Sequence, residues 1–218
     1  MARDQPLTRE QRRVAAILLA TLGDLGFCLA GGAALIATGL SNRPTRDIDA
    51  FTDHDLDLRS AADRAVSALA AAGFEVVVER ADESFVTLLV TTPGRRRSQF
   101  RIDLGRDHIA WPPVNTALGR TLSPRELAAN KVLALFGRVQ PRDLVDVARL
   151  VERIPLATML ADAASKDSGL DPIVLAEMVQ LVMARPEPEW PPDTDVDQMR
   201  EFGRSLVAEL GGADSASP

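Results

Sequence analysis

Phe27-Cys28-Leu29-Ala30-Gly31-Gly32-Ala33-Ala34-Leu35 is followed, after a short polar stretch, by Arg43-Pro44-Thr45-Arg46-Asp47-Ile48-Asp49-Ala50-Phe51. The first run reads as a short apolar strand, Phe27 to Ala30, then a glycine pair that opens a helix over Ala33 to Thr38. The second reads as a polar loop entering a strand, Asp47 to Phe51. A glycine pair at a helix start turns unpaired backbone N–H groups, and the positive end of the helix dipole, toward one point, which suits a phosphate. In isolation a tight strand-to-helix turn is the better explanation of Gly31 and Gly32. Side chains at i and i+2 of a strand share a face, so Asp47 and Asp49 converge while Ile48 points to the core. Two close acids repel each other unless a cation stands between them. Mg²⁺ favours one or two carboxylates together with substrate phosphates. The plainer alternative is a loop of solvated acids, and apolar Ile48, Ala50 and Phe51 argue against it.

Working outward, Phe100-Arg101-Ile102-Asp103-Leu104 sets a third acid in a strand between core neighbours. Asp103 is suited to joining a metal site or to taking a proton from an attacking hydroxyl. Its plainer reading is an exposed strand acid paired with Arg101 or Arg106. Together these features suit gripping a nucleoside triphosphate and moving its α-phosphorus to a hydroxyl. Arg43 and Arg46, beside the acid pair, are placed to neutralise a departing pyrophosphate, or are ordinary loop arginines. Thr45 lies two residues before Asp47 and shares its face if the strand extends that far.

The remaining pattern fills in an α+β chain. Thr8 and Gln11 form a capping-box signature for a helix over Arg9 to Asp24. Leu56 to Ala72 has helical spacing and ends at Gly73. Phe74 to Glu79, Phe85 to Thr91 and Ser98 to Leu104 read as strands, with a turn at Thr92-Pro93-Gly94. Ser123-Pro124-Arg125-Glu126 is a strong helix start, and beyond it only helices are expected. This divides the chain into residues 1–122, a mixed sheet flanked by helices, and 123–218, a helical subdomain. Residues 213–218 read as a frayed tail.

Within the helical part, Lys131 shares a face with Leu127 and Leu135, so its stem is expected to be partly buried. Its ammonium then needs a partner, either a triphosphate or the acids of the next helix, Asp143 and Asp146. Arg95-Arg96-Arg97 with Arg101 is the most basic patch; it is a solvated turn or, with an RNA acceptor, a backbone contact. His54 and His108 read as surface or loop residues, and Trp111 and Trp190 as loop anchors.

The chain has 218 residues, 46% hydrophobic and 26% charged, with a net charge of −6. That balance describes a folded soluble protein and opposes a broad non-specific nucleic-acid surface. The single cysteine, Cys28, excludes an internal disulfide and fits a reducing compartment, hence the cytoplasm. Met1 to Glu10 is polar and mixed in charge, unlike a secretory leader. No apolar run is long enough to span a bilayer.

The two runs quoted first resemble the polymerase-β-type nucleotidyltransferase superfamily, and within it the AbiEii-like toxins of bacterial toxin–antitoxin and abortive-infection systems. That group pairs the glycines with an Arg-x-Ser/Thr step and Asp-Ile/Leu-Asp. It also carries a later lysine helix, here Lys131, followed by Arg/Lys-Asp-x-x-Asp, here Arg142-Asp143-Leu144-Val145-Asp146. The resemblance covers roughly residues 27–150 and departs from the group at Ala33, where threonine is common. It implies a nucleotidyltransferase-type fold whose helical subdomain completes an active-site cleft. It implies Asp47, Asp49 and Asp103 at Mg²⁺, with Gly31, Gly32, Arg43, Thr45, Arg46 and Lys131 at the nucleotide. Asp146 supports that site, Asp143 less clearly. It further implies transfer of a nucleoside monophosphate to tRNA and a separate antitoxin partner. Two other readings stay open at this point: modification of a small cationic antibiotic of the aminoglycoside kind, and a non-catalytic binding module that keeps the fold.

Overall fold

The computed structural model describes residues 6–95 and 97–212. Arg96, the tail expected at 213–218 and the first half of the Met1–Glu10 stretch lie outside the described residues. Two compact units are present, with the boundary between Leu127 and Ala128.

The first unit is built on a seven-stranded sheet of order β3-β4-β5-β2-β1-β7-β6. Its strands are β1 (Cys28–Ala30), β2 (Asp47–Thr52), β3 (Glu75–Ala81), β4 (Phe85–Thr91), β5 (Gln99–Arg106), β6 (Val114–Thr116) and β7 (Gly119–Thr121). The sheet is mixed: β2 runs parallel to β5 and β1 parallel to β7, while the other neighbours are antiparallel. The β6–β7 hairpin is an addition to the strands expected from sequence.

Alternation decides which side of the sheet is core. Ile48, Ala50, Ile102, Leu104, Val86, Leu88 and Val90 are all buried. They lie on the face covered by α1 (Arg9–Leu22) and α3 (Leu58–Ala71), which present buried Val14, Leu18 and Leu22, and Ala61, Ala65 and Leu69. The odd-numbered residues of β2 and β5 therefore take the other face.

Local chemistry fixes the helix starts. Thr8 and Gln11 form the expected capping box on α1, and Asp57 accepts from the Arg59 and Ser60 amides to open α3. At the end of α1 the chain tightens into a 3₁₀ turn over Gly23–Leu25, then leaves through Gly26 at φ +77°. The short helix α2 spans Gly31–Ala37, so both glycines lie inside it.

Helix α4 (Pro124–Gly137) crosses the boundary in the sequence. The second unit continues with α5 (Pro141–Leu150), α6 (Leu156–Lys166), α7 (Pro172–Met183) and α8 (Val196–Gly212). Leu144, Val147, Leu150, Val179, Val182, Leu206 and Leu210 supply its core. Among the described residues, no helix is long and apolar enough to cross a membrane.

Candidate active site

Parallel pairing of β2 with β5 sets Asp47 beside Arg101 and Asp49 beside Asp103, in register. Lateral neighbours in register point the same way, so Asp47, Asp49 and Asp103 occupy one face. It is the face opposite fully buried Ile48 and Ile102. The three acids are each half-buried.

Asp103 is held by β4. Thr87, its antiparallel partner, donates its hydroxyl to Asp103 Oδ1 at 2.8 Å. Arg101 instead ion-pairs with Glu79 of β3 at 2.6 Å, and Arg106 with Asp55. Thus neither arginine forms the ion pair that the plainer reading of Asp103 required. Burial pushes the Asp103 carboxyl above its ordinary value. The Thr87 hydroxyl and Arg101 act against that rise, while the charges of Asp47 and Glu79 add to it.

The glycine pair is packed against this face. Gly31 has φ +57°, and a β-carbon placed on it would lie 1.8 Å from Asp49 Oδ2. A β-carbon on Gly32 would lie 2.8 Å from Thr45 Oγ1. Thr45 is fixed in turn. Its hydroxyl donates to the Asp47 carbonyl at 3.3 Å, its amide donates to the Pro6 carbonyl, and its carbonyl accepts from Gln11 Nε2 at 2.9 Å. Arg43 Nη1 donates to the Pro44 carbonyl at 3.4 Å, and Arg46 is exposed.

Carboxylates are the donors Mg²⁺ takes, and the rise in the Asp103 carboxyl, to which Asp47 contributes, is one a cation would oppose. Among the described residues no group of three or more His, Cys, Asp or Glu is gathered tightly enough to hold an ion unaided. An ion at these acids would need further oxygen ligands, of the kind that substrate phosphates supply. Two surface cavities, of about 560 Å³ near Thr21, Asp63 and Arg64 and about 240 Å³ near Gly73, Thr91 and Arg97, do not border the three acids.

Within the second unit, Lys131 Nζ lies 3.2 Å from Asp143 Oδ1 and 2.8 Å from Asp146 Oδ2. Arg138 Nε adds a contact to Asp143 Oδ2 at 2.8 Å. Asp143 is 0% and Asp146 1% exposed. Both acids of the next helix are thus ion-pair partners of Lys131, and Arg138 joins them without having stood out in the sequence.

Two members of the basic patch are paired with glutamates: Arg97 bonds Glu75, and Arg101 bonds Glu79. His54 is more than half exposed and His108 is exposed. Arg125 stacks over Trp111 at 4.7 Å, and Trp190 donates to the Arg185 carbonyl. The Cys28 thiol is buried, and burial pushes its pKa up.

Thr87, Glu79 and Gln11 were not identified as site neighbours from sequence. Each reaches the site only through strand register or a contact distant in the chain. Thr87 left one faint sign, a hydroxyl amid the apolar residues of β4.

Comparison with known proteins bears on the family and the fold. The profile described as nucleotidyl transferase AbiEii toxin, Type IV TA system, matches residues 14–208. A search of curated protein sequences found no match. Among solved structures, MenT4, a nucleotidyltransferase toxin from Mycobacterium tuberculosis H37Rv, is similar in fold with a TM-score of 0.65. It is 19% identical, over 92% of this chain and 82% of that one. JHP933 from Helicobacter pylori matches with a TM-score of 0.60 and 17% identity, over 99% of this chain and 97% of that one. An acid set on one sheet face, a glycine pair packed against it and a family match over most of the chain lead to one assignment: the chain belongs to the AbiEii nucleotidyltransferase toxin family.

Proposed function

We propose that this enzyme transfers a nucleoside monophosphate from a triphosphate to a hydroxyl of tRNA, releasing pyrophosphate, and that an antitoxin opposes it in the cell. The observation that carries this reading is the in-register pairing of Asp49 with Asp103, on the face that also holds Asp47. Asp47 and Asp49 are the residues we assign to Mg²⁺, with Asp103 either joining them or receiving the proton of the attacking hydroxyl. Bound there, Mg²⁺ would act as a Lewis acid that offsets charge on the triphosphate. Gly31 and Gly32, at the start of α2, are the residues we assign to the phosphates, whose oxygens suit helix-start N–H groups. Thr45 borders that pocket, and Arg43 and Arg46 balance charge on the departing pyrophosphate. Asp103 binds its proton more tightly than an exposed carboxyl does, which suits a group that accepts one during attack.

The test is incubation of the protein with each labelled nucleoside triphosphate, Mg²⁺ and total tRNA. Transfer of one base to a defined tRNA position is expected. Asp49→Ala should abolish transfer while circular dichroism and melting stay close to wild type. Transfer by Asp49→Ala at the wild-type rate would reject the assignment.

One observation favours a second acceptor class. Arg97 and Arg101 are already paired with Glu75 and Glu79, so part of the basic patch is neutral while the acids remain on the face. A small cationic acceptor such as an aminoglycoside suits an acidic face. Labelled transfer to kanamycin in place of tRNA would support that reading.

A further inference from the structure

Gln11 sits in the first turn of α1, 4% exposed, and its side-chain amide is hydrogen-bonded at both ends. Oε1 accepts the Thr8 amide at 2.9 Å, closing the capping box. Nε2 donates to the Thr45 carbonyl at 2.9 Å, across 34 residues of chain. Because the first partner is a donor and the second an acceptor, only one orientation of the amide satisfies both. The Thr45 amide meanwhile donates to the Pro6 carbonyl at 3.3 Å. Both backbone polar groups of Thr45 are therefore held by the start of α1 and the residues just before it. The Thr45 side chain faces the other way, against Gly32 and the Asp47 backbone.

A capping box needs only an acceptor at its third position, and glutamate fills that role as well as glutamine. The donor function of Gln11 is thus surplus to helix capping. It is used on the residue that bridges the glycine pair and the first acid.

We propose that Gln11 is a positioning residue for the bound triphosphate: through the Thr45 carbonyl it fixes Thr45 against Gly32 and the backbone of Asp47. This rests on the reading of that face as the nucleotide site. The two tasks of the side chain are separable by chemistry. Gln11→Glu keeps an acceptor for Thr8 but, when ionised, sets a carboxylate against the Thr45 carbonyl. Gln11→Met loses both bonds at similar volume.

The experiment compares wild type, Q11E, Q11M and D49A. Melting temperature is measured at mildly alkaline pH, so that the carboxyl introduced in Q11E is ionised. Calorimetric titration with the α,β-methylene analogues of ATP, CTP, GTP and UTP in Mg²⁺ gives the dissociation constant. For Q11E, affinity for the tightest analogue should weaken about five- to tenfold, the scale of one hydrogen bond replaced by a repulsive contact. Its melting temperature should fall less than that of Q11M, because the Thr8 amide and the positive end of α1 still hold the carboxylate. Q11M should lose both affinity and several degrees of melting temperature.

Wild-type affinity in Q11E overturns the proposal. So does a Q11E protein that melts as low as Q11M or fails to fold, because capping and positioning would then not be separate tasks. If no analogue binds wild type, or D49A transfers nucleotide normally, the nucleotide-site reading fails and takes this inference with it. Loss of transfer in D49A alongside unchanged binding by Q11E removes only the role given to Gln11.

Discussion

Gly31 and Asp49 occupy the same small volume: a β-carbon on the glycine would fall 1.8 Å from the carboxylate Oδ2, little more than the length of a covalent C–C bond. Atoms that share no bond do not approach so closely, so any side chain at position 31 must move the acid. The φ of +57° adds a backbone penalty for every residue but glycine.

Gly31→Ala is therefore expected to disarm the enzyme without touching an acid. Shifting a reacting group by about 1 Å costs on the order of 100-fold in rate. The backbone strain costs about 1–3 kcal/mol of stability. Initial transfer rates beside a denaturant titration measure both. Wild-type turnover in this variant would show that the Asp49 carboxylate has no fixed position in catalysis.

Asp103 predicts a pH dependence of stability. Its folded-state pKa is raised, mainly by burial. The folded chain then holds this proton more tightly than the unfolded chain. From the ordinary value of 3.8 up to the raised value, stability contributed at this position falls as pH rises. Asp103→Asn abolishes the titration and keeps an acceptor for Thr87. In Mg²⁺-free buffer the variant should unfold at higher denaturant than wild type at neutral pH. That advantage should disappear as the pH is taken below 3.8.

Lys131 makes a different prediction, confined to the second unit. Lys131→Met withdraws the ammonium from carboxylates that are 0% and 1% exposed. Removing one partner from such a cluster costs about 3–5 kcal/mol. Adding Asp146→Leu should restore part of the loss, since a buried apolar residue needs no counter-charge. Denaturant midpoints of the single and double variants decide this, and equal midpoints would contradict it.

Glu126 is fully buried and accepts the amides of Ala110 and Trp111 at 2.9 and 3.0 Å. Glu126→Ala strands those amides and should cost about 1–3 kcal/mol. The Trp111 emission should shift to the red as its loop loosens. Glu126→Gln keeps an amide oxygen as acceptor and should recover most of the stability.

What the sequence disclosed depended on whether a signal was local. Asp47 to Phe51 was legible as a strand because acids and apolar residues alternate. Phe85–Thr91 matched its expected bounds because turn residues close both ends. The β6–β7 hairpin was missed because Val114–Thr116 and Gly119–Thr121 are three-residue strands with little apolar content, joined by Ala117-Leu118 and not by a turn-forming pair. Helix α2 starts at Gly31, not Ala33, because the chain turns into the helix at the glycine pair itself. The three acids could be named individually, but their registration could not. That Asp49 lies beside Asp103 follows from a parallel pairing reached through α3, β3 and β4. Thr87 and Gln11 were hidden for the same reason, each meeting its partner only after the chain has folded.

The ties between Arg97 and Glu75, and between Arg101 and Glu79, carry a last consequence. An incoming polyanion meets cations whose charge a glutamate already offsets, and which it must share with that glutamate or take over by exchange. Exchange of that kind rewards close geometric fit and gives little to charge alone. Binding through these two arginines should therefore discriminate between partners more than it grips them, and should change little with ionic strength.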